Sequence, residues 1–125
     1  MNKFMILSAV LGSAVLLSAC EEKKPLTPEQ VWHGYCTSIG NAARSILLDR
    51  QNGITQQEAV DHANKLTDPT TKAFVNAQLA KVYAYPADQL EKDRDALLAQ
   101  FKKEATDECL ATPYDKDKLP DYKQF

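Results

Sequence analysis

Hydrophobic residues in the middle of the chain recur three or four positions apart, which is the spacing of one face of an α-helix. The first such stripe comprises Trp32, Cys36, Ile39, Ala43, Ile46 and Leu47. Residues 27–30, Thr-Pro-Glu-Gln, precede it and combine a capping hydroxyl, a proline at the first helical position and a capping-box glutamine. Gly53 follows it, as is typical of a left-handed C-cap. The pattern therefore predicts a long first helix.

Two shorter helices are predicted next. A second capping box, from Thr55 to Glu58, opens a helix whose apolar residues are Ala59, Val60, Ala63 and Leu66. Asp68, followed by proline, begins a third helix, and Pro86 ends it. Residues 73–85 are apolar on more than one face, so we expect this third helix to be central in the packing.

A fourth helix is predicted from Asp88 to about Leu110. Its apolar stripe comprises Leu90, Leu97, Leu98, Phe101, Ala105 and Cys109. Short connections between helices favour antiparallel neighbours. The expected fold is therefore all-α, a small antiparallel four-helix bundle over residues 27–111, followed by an irregular tail over residues 112–125.

The N-terminus has the pattern of an export signal. Lys3 precedes an uncharged apolar run over residues 4–17, which is shorter than the roughly 20 residues of a spanning helix. The following Leu-Ser-Ala-Cys, which ends at Cys20, resembles the bacterial lipobox. The resemblance implies a signal peptide over residues 1–19 and lipidation of Cys20. An uncleaved membrane anchor, or an ordinary signal peptide cut at the same bond, are the alternatives.

Lipidation would also determine where the protein resides. Stable anchoring takes more than one acyl chain, and a lipobox cysteine by resemblance carries three. Glu21 stands where an aspartate in this class tends to retain a lipoprotein in the inner membrane. We therefore expect an outer-membrane location on the periplasmic side, with residues 20–26 as a lipidated tether.

The remaining two cysteines, Cys36 and Cys109, are expected to form a disulfide, because the periplasm is oxidising and the lipid consumes Cys20. In an up-down-up-down bundle the start of the first helix lies beside the end of the fourth. Both cysteines occupy these positions and both fall on apolar stripes. The topology and the disulfide therefore support each other.

Length and charge indicate a single domain and argue against a nucleic-acid-binding protein. A chain of 125 residues has room for one domain. Removal of residues 1–19 takes away Lys3 and no acidic residue, so the formal charge changes from −2 to −3. Basic residues form no block, which argues against a nucleic-acid partner.

The sequence shows little reactive chemistry. His33 lies three residues before Cys36, and Glu58 lies four before His62, but neither pair has a third metal ligand nearby. Exposed helix histidines are the simpler interpretation. The serines lie within helices and on no nucleophile motif. We therefore predict no catalytic residue, no metal and no cofactor, and we expect the protein not to be an enzyme.

The aromatic residues allow two interpretations. Trp32 and Tyr35 open the first helix, and Tyr83 and Tyr85 close the third. If these four clustered half-exposed at one end, they would form a partner-binding patch. Core packing is the simpler alternative and the one we favour. The tail aromatics, Tyr114, Tyr122 and Phe125, could likewise pack on the bundle or bind another protein.

One further resemblance covers nearly all of the expected mature domain. The motif comprises Cys36, Arg50-Gln51-x-Gly53, Tyr83-x-x-Pro86, Phe101 and Cys109 in that order. It resembles small exported proteobacterial and prophage-associated proteins with an all-helical core and no assigned activity. The resemblance implies a fold and a compartment, and it transfers no catalytic residue.

Together these features favour a non-enzymatic, lipid-anchored envelope protein that faces the periplasm and binds another protein. It would act as an accessory to an envelope machine, or as an inhibitor or immunity and exclusion protein. A small-ligand or metal-binding lipoprotein built around His33 or His62 is the alternative. A purely structural envelope lipoprotein is a third hypothesis.

Overall fold

A computed structural model describes residues 22–121 of the chain. The expected signal peptide, Cys20 and the tail aromatics Tyr122 and Phe125 lie outside the described residues. The helices are α1 (Pro28–Gln51), α2 (Gln56–Ala63), α3 (Pro69–Ala84) and α4 (Arg94–Ala111), with a short 3₁₀ turn, Ala87–Gln89, before α4. Residues 22–121 contain no strand, which confirms the all-α prediction. None of these helices combines the length and the hydropathy needed to span a membrane.

The N-termini of the first three helices form as the local sequence predicts. The Thr27 hydroxyl accepts from the Gln30 N–H, and the Gln30 side chain accepts from the Thr27 N–H at 2.9 Å, which closes the capping box of α1. Thr55 and Glu58 close an equivalent box on α2. Asp68 caps α3 by accepting from the backbone N–H of Thr71, the third residue of the helix.

A Schellman turn ends α1. Gly53 has a φ of +93°, and its N–H donates to the Arg50 carbonyl at 3.0 Å. The Ile54 N–H donates back to the Asp49 carbonyl at 2.9 Å. This turn reverses the chain into α2 and leaves Ile54 exposed at the corner.

The predicted start of the fourth helix was wrong, because α4 begins at Arg94 and not at Asp88. Asp93 has a φ of +55°, in the left-handed region, and this conformation interrupts a right-handed helix. The preceding residues form turns that place half-buried Leu90 against the α1–α4 core. The local pattern predicted a helix through Leu90, whereas the structure has a turn there that packs Leu90 against the core.

The centre of the packing is α1, which contacts both α3 and α4, while α2 packs on α3. Helix α3 also contacts two helices, α1 and α2, but less extensively than α1 does, so the expectation that it would be central holds only in part. Several apolar positions of α3 that would have met a neighbour are alanines, Ala73, Ala77 and Ala80, and they are exposed. Alanine counts as apolar in the sequence pattern, but it is favoured in helices whether it is buried or exposed. The alanines therefore made α3 look more buried in sequence than it is in the structure.

The relative directions of the helices follow from their contacts. Cys36 near the start of α1 is bonded to Cys109 near the end of α4, with the two Cα atoms 5.3 Å apart. Leu47, later on α1, shares a core cluster with Leu97, earlier on α4, so these helices are antiparallel. Tyr35 meets Thr71 at the start of α3, whereas Arg50 meets Tyr85 at its end. Helices α1 and α3 are therefore parallel, and the disulfide-linked helical bundle is confirmed.

Three clusters of buried side chains hold the helices together. The disulfide cluster contains Trp32, Tyr35, Cys36, Ile39, Ala43, Ala105 and Cys109. The second cluster, at the other end of α1, contains Leu47, Val82, Leu97, Leu98 and Phe101. The third joins α2 to α3 and contains Ala63, Val75 and Leu79.

Candidate functional site

A groove of about 490 Å³ lies between α1, α2 and α3, and we call it the α2 groove. It is lined by Ala42, Ser45, Ile46, Asp49, Ile54, Glu58, Ala59, His62, Ala63, Leu66, Val75 and Leu79. Its volume lies within the roughly 300–1,000 Å³ of ordinary ligand sites. The α2 groove is therefore the candidate functional site.

The floor of the α2 groove is apolar and its rim is polar. Ala63, Val75 and Leu79 are buried, and Ile46 and Leu66 are half-buried beside them. The exposed lining residues are Ser45, Asp49, Ile54, Glu58 and His62. An apolar floor with a few polar groups at its edge is the usual composition of a binding site.

The sequence explains why this space stays open. Helix α2 has only eight residues and is fixed to α3 by the third cluster. The positions that line the groove from α1 and α2 include Ala42, Ser45 and Ala59, whose side chains are small. Small side chains on both walls do not fill the gap between two helices.

The Ile54 end of the groove is held by specific polar contacts. The Tyr83 hydroxyl donates to the Ile54 carbonyl at 2.8 Å. The Arg50 guanidinium lies 5.5 Å from the centroid of the Tyr83 ring and donates to the carbonyl oxygens of Val82 and Tyr85. Arg50 thereby caps the C-terminus of α3, so the α1–α2 turn and the end of α3 are positioned together.

The electrostatic character of the groove is acidic. Asp49 and Glu58 are its charged lining residues, and no lysine or arginine of residues 22–121 lines it. The backbone N–H and hydroxyl of Thr55, both 2.8 Å from Glu58 Oε2, hold the pKa of that carboxyl below its usual value. Asp49 takes part in none of the ion pairs between described residues. The Glu58 carboxyl is therefore charged at neutral pH.

The predicted pairs with metal-ligand spacing do not gain a third ligand in the described part of the chain. Residues 22–121 contain no group of three His, Cys, Asp or Glu side chains arranged to hold a metal ion. Glu58 and His62 both line the α2 groove, but one Glu58 oxygen is occupied by the Thr55 cap. His33 is exposed, and Cys36 beside it is consumed by the disulfide.

The structure does not bring the four predicted aromatic residues together. Trp32 and Tyr35 are 4% and 5% exposed and belong to the disulfide cluster. Tyr83 and Tyr85 are half-buried and pack against the second cluster. Because α1 and α3 are parallel, the start of α1 lies beside the start of α3 and far from its end. These four positions fit the core-packing interpretation better than one exposed patch.

The described part of the tail packs back on the bundle. The Tyr114 ring stacks on the Trp32 ring, with the centroids 4.7 Å apart, and Leu119 packs against the same cluster. This stacking covers one face of the Trp32 ring and contributes to its low exposure.

The sequence reasoning missed the α2 groove itself, because the groove joins residues of three helices. Ser45, Asp49 and Ile54 belong to no motif that indicates a binding site. One available signal was Ile54, an apolar residue directly after a helix-ending glycine, which is 39% exposed. Ile54 becomes informative only together with the apolar floor beside it, because single exposed apolar residues are ordinary on protein surfaces.

No protein-family model, curated protein or solved structure matches the chain. The roles of its residues therefore follow from its own geometry. The predicted likeness to small exported helical proteins stays a prediction.

Proposed function

We propose that this protein is a lipid-anchored, periplasm-facing envelope protein that acts by binding a segment of another protein in the α2 groove. The observation that carries the proposal is the groove itself, with an apolar floor, an exposed rim and walls from three helices. Insertion of a peptide's apolar side chains into such a groove is a common mode of recognition.

The rigidity of the bundle supports this proposal. The Cys36–Cys109 bond joins the two longest helices, and Arg50 and Tyr83 fix the turn at one end of the groove. A site that is formed before binding loses less conformational entropy when the partner arrives. A small disulfide-bonded domain is therefore well suited to a function in binding that requires no catalysis.

The expected anchor would also restrict which partners can be reached. Residues 22–27 form no helix and are exposed, so they can act as a tether. At about 3.3 Å per residue, a tether over residues 20–26 would span at most roughly 23 Å. A partner would therefore present its binding segment close to the membrane surface.

Site-specific photo-cross-linking in living cells tests the binding proposal. A photo-reactive amino acid would replace Ser45 or His62 at the rim of the groove, with Gln100 on the exposed face of α4 as the matched control position. We expect one protein of defined mass to cross-link from the groove positions and not from Gln100. Absence of a cross-link from the groove, or equal cross-linking from all three positions, would overturn the proposal.

The anchoring part of the proposal is tested separately through Cys20. Cys20→Ser removes the thiol that the lipid would modify, so we expect the variant to appear in a soluble or an unprocessed form. Membrane fractionation and intact-mass measurement distinguish these forms from the lipidated protein. A cleaved Cys20→Ser protein that still sediments with membranes would contradict the lipid anchor.

A small-ligand function is the second candidate, because the volume of the groove suits a small molecule and Glu58 and His62 both line it. A ligand that binds only the folded state raises the melting temperature by mass action. A screen of divalent metals and metabolites that finds such a rise, lost in His62→Ala, would favour this function over peptide binding.

A further inference from the structure

The α2 groove combines an apolar floor with charges of a single sign. Asp49 comes from the last turn of α1 and Glu58 from the first turn of α2, on the two sides of the turn that contains Ile54. Neither is joined to a basic side chain by an ion pair within residues 22–121. The acidic end of the groove is therefore not neutralised by the described surface.

The nearest basic side chain in sequence, Arg50, is directed elsewhere. Its guanidinium donates to the Val82 and Tyr85 carbonyls and lies over the Tyr83 ring. Both hydrogen bonds come from Nη1, and together with the ring contact they fix the guanidinium at the end of α3. Arg50 is therefore a structural cation, and it is not among the residues that line the groove.

The negative charges of Asp49 and Glu58 both affect the Tyr83 hydroxyl, which lies at the same end of the groove. Burial raises the pKa of the Tyr83 hydroxyl most, and the charges of Asp49 and Glu58 raise it further, while Arg50 opposes them. The C-terminal end of α1, which carries Asp49, adds the partial negative charge of its helix dipole. The capping box of α2 occupies first-turn donors that would otherwise offset it.

We infer that the α2 groove selects a basic amphipathic segment of its partner, which places apolar side chains on the Ile46–Val75–Leu79 floor and a lysine or arginine between Asp49 and Glu58. This inference rests on the proposed binding function and adds the chemistry of the partner. Opposite charges steer association and set the register of the segment, while like charges exclude acidic competitors. The apolar floor supplies the remaining affinity.

Two synthetic peptides of equal length test the charge selection. Both carry a leucine stripe at i, i+3, i+4 and i+7 spacing, and they differ only in lysine or glutamate beside it. Each is titrated into the full chain in non-ionic detergent micelles, and NMR amide shifts are followed for the groove residues. We expect the lysine peptide to bind in the groove and the glutamate peptide to bind at least about tenfold more weakly.

A matched pair of double variants isolates the two carboxylates. Asp49→Asn/Glu58→Gln removes both charges while glutamine preserves the α2 capping box. Asp95→Asn/Glu104→Gln removes the same charge from exposed positions of α4. We expect the groove variant to weaken binding of the lysine peptide about fivefold, as two partly exposed ion pairs would, and the α4 variant to leave it unchanged.

The outcomes separate this inference from the proposed function. Equal affinity for both peptides, or an equal loss of lysine-peptide affinity in both double variants, would overturn the charge selection. The proposed binding function would then still be tested independently by the cross-linking experiment. Failure of the lysine peptide to shift any groove residue would also overturn the inference. If the groove variant does not fold, added salt in the unaltered protein should weaken lysine-peptide binding, and a salt-independent affinity would contradict the inference.

Discussion

At the scale of single residues, Gly40 allows α1 and α4 to approach each other closely. A Cβ atom at this position would overlap the Thr106 hydroxyl and lie 2.6 Å from the Lys102 carbonyl oxygen. Thr106 can rotate away, but a backbone carbonyl cannot. The two helices are linked one turn away by the disulfide, so the close approach at Gly40 belongs to the same contact.

We therefore expect Gly40→Ala to destabilise the fold, although alanine is the better helix former by about 1 kcal/mol. Overpacking a tight contact costs about 1–3 kcal/mol, and the fixed Lys102 carbonyl places this site at the upper end. The net loss should be about 1–2 kcal/mol in denaturant unfolding. Asn41→Ala, at the exposed neighbouring position, is the control and should be neutral to slightly stabilising, because alanine is also the better helix former there. Equal stability of the two variants would refute the close contact.

At the scale of elements, local capping explains where three helices begin. Asp68 accepts from both the Thr71 N–H and the Thr71 hydroxyl at 2.7 Å. These bonds lower the pKa of Asp68 from its usual value of 3.8, and the bond from the Thr71 hydroxyl has the larger effect. A carboxylate at a helix N-terminus is also favoured by the helix dipole.

This lowered pKa predicts a pH dependence. Because the folded pKa lies below the unfolded one, the stabilisation is present above pH 3.8 and is lost as the pH falls through the folded value. Asp68→Asn keeps a capping oxygen that does not titrate in this range. We expect the unaltered protein to lose more unfolding free energy than Asp68→Asn between about pH 7 and about pH 3. Parallel losses in both proteins would show that Asp68 is not the titrating cap.

The same scale shows where local signals were insufficient. The helix-start signals at Thr27, Thr55 and Asp68 all act through contacts within three residues, so they can be read from sequence. The start of α4 has no such cap, because Asp93 adopts the left-handed conformation and its side chain makes no capping bond. The turns before it accompany the packing of Leu90, a contact with residues distant in sequence.

At the scale of the whole molecule, one covalent bond encloses most of the domain. Cys36 and Cys109 are 73 residues apart in sequence and completely buried. The loop between them contains most of α1, all of α2 and α3, and most of α4. In the chain-entropy model, closing such a loop contributes about 4 kcal/mol of stability. A domain of this size has only about 5–15 kcal/mol in total.

We expect the Cys36→Ala/Cys109→Ala variant to lose about 4 kcal/mol of unfolding free energy relative to the oxidised protein. Reductant should lower the melting temperature of the unaltered protein and leave that of the variant unchanged. Cys20→Ser is the control, because it retains the bridge and should stay sensitive to reductant. A melting temperature of the unaltered protein that does not respond to reductant, with the thiols shown to be free, would contradict this expectation.

The sequence alone determined the helical class, three of the four helix starts, the glycine turn after α1 and the pairing of the two cysteines. Periodicity and capping act within a few residues, so a single chain displays them. The cysteine pairing followed because only two cysteines remained for an antiparallel first and last helix. The proposed export signal and lipid site also rest on sequence alone.

Only the tertiary structure decided which faces meet. It made α1 the central helix and separated Trp32 and Tyr35 from Tyr83 and Tyr85. It also assembled the α2 groove from residues up to 37 positions apart, Ala42 to Leu79. Periodicity shows that a helix has an apolar face, but it does not show which neighbour covers that face. The short helix α2 and the small side chains of the groove walls leave part of the apolar surface uncovered, and this surface is the candidate site. The α1–α2 turn places Asp49 and Glu58 at one end of it.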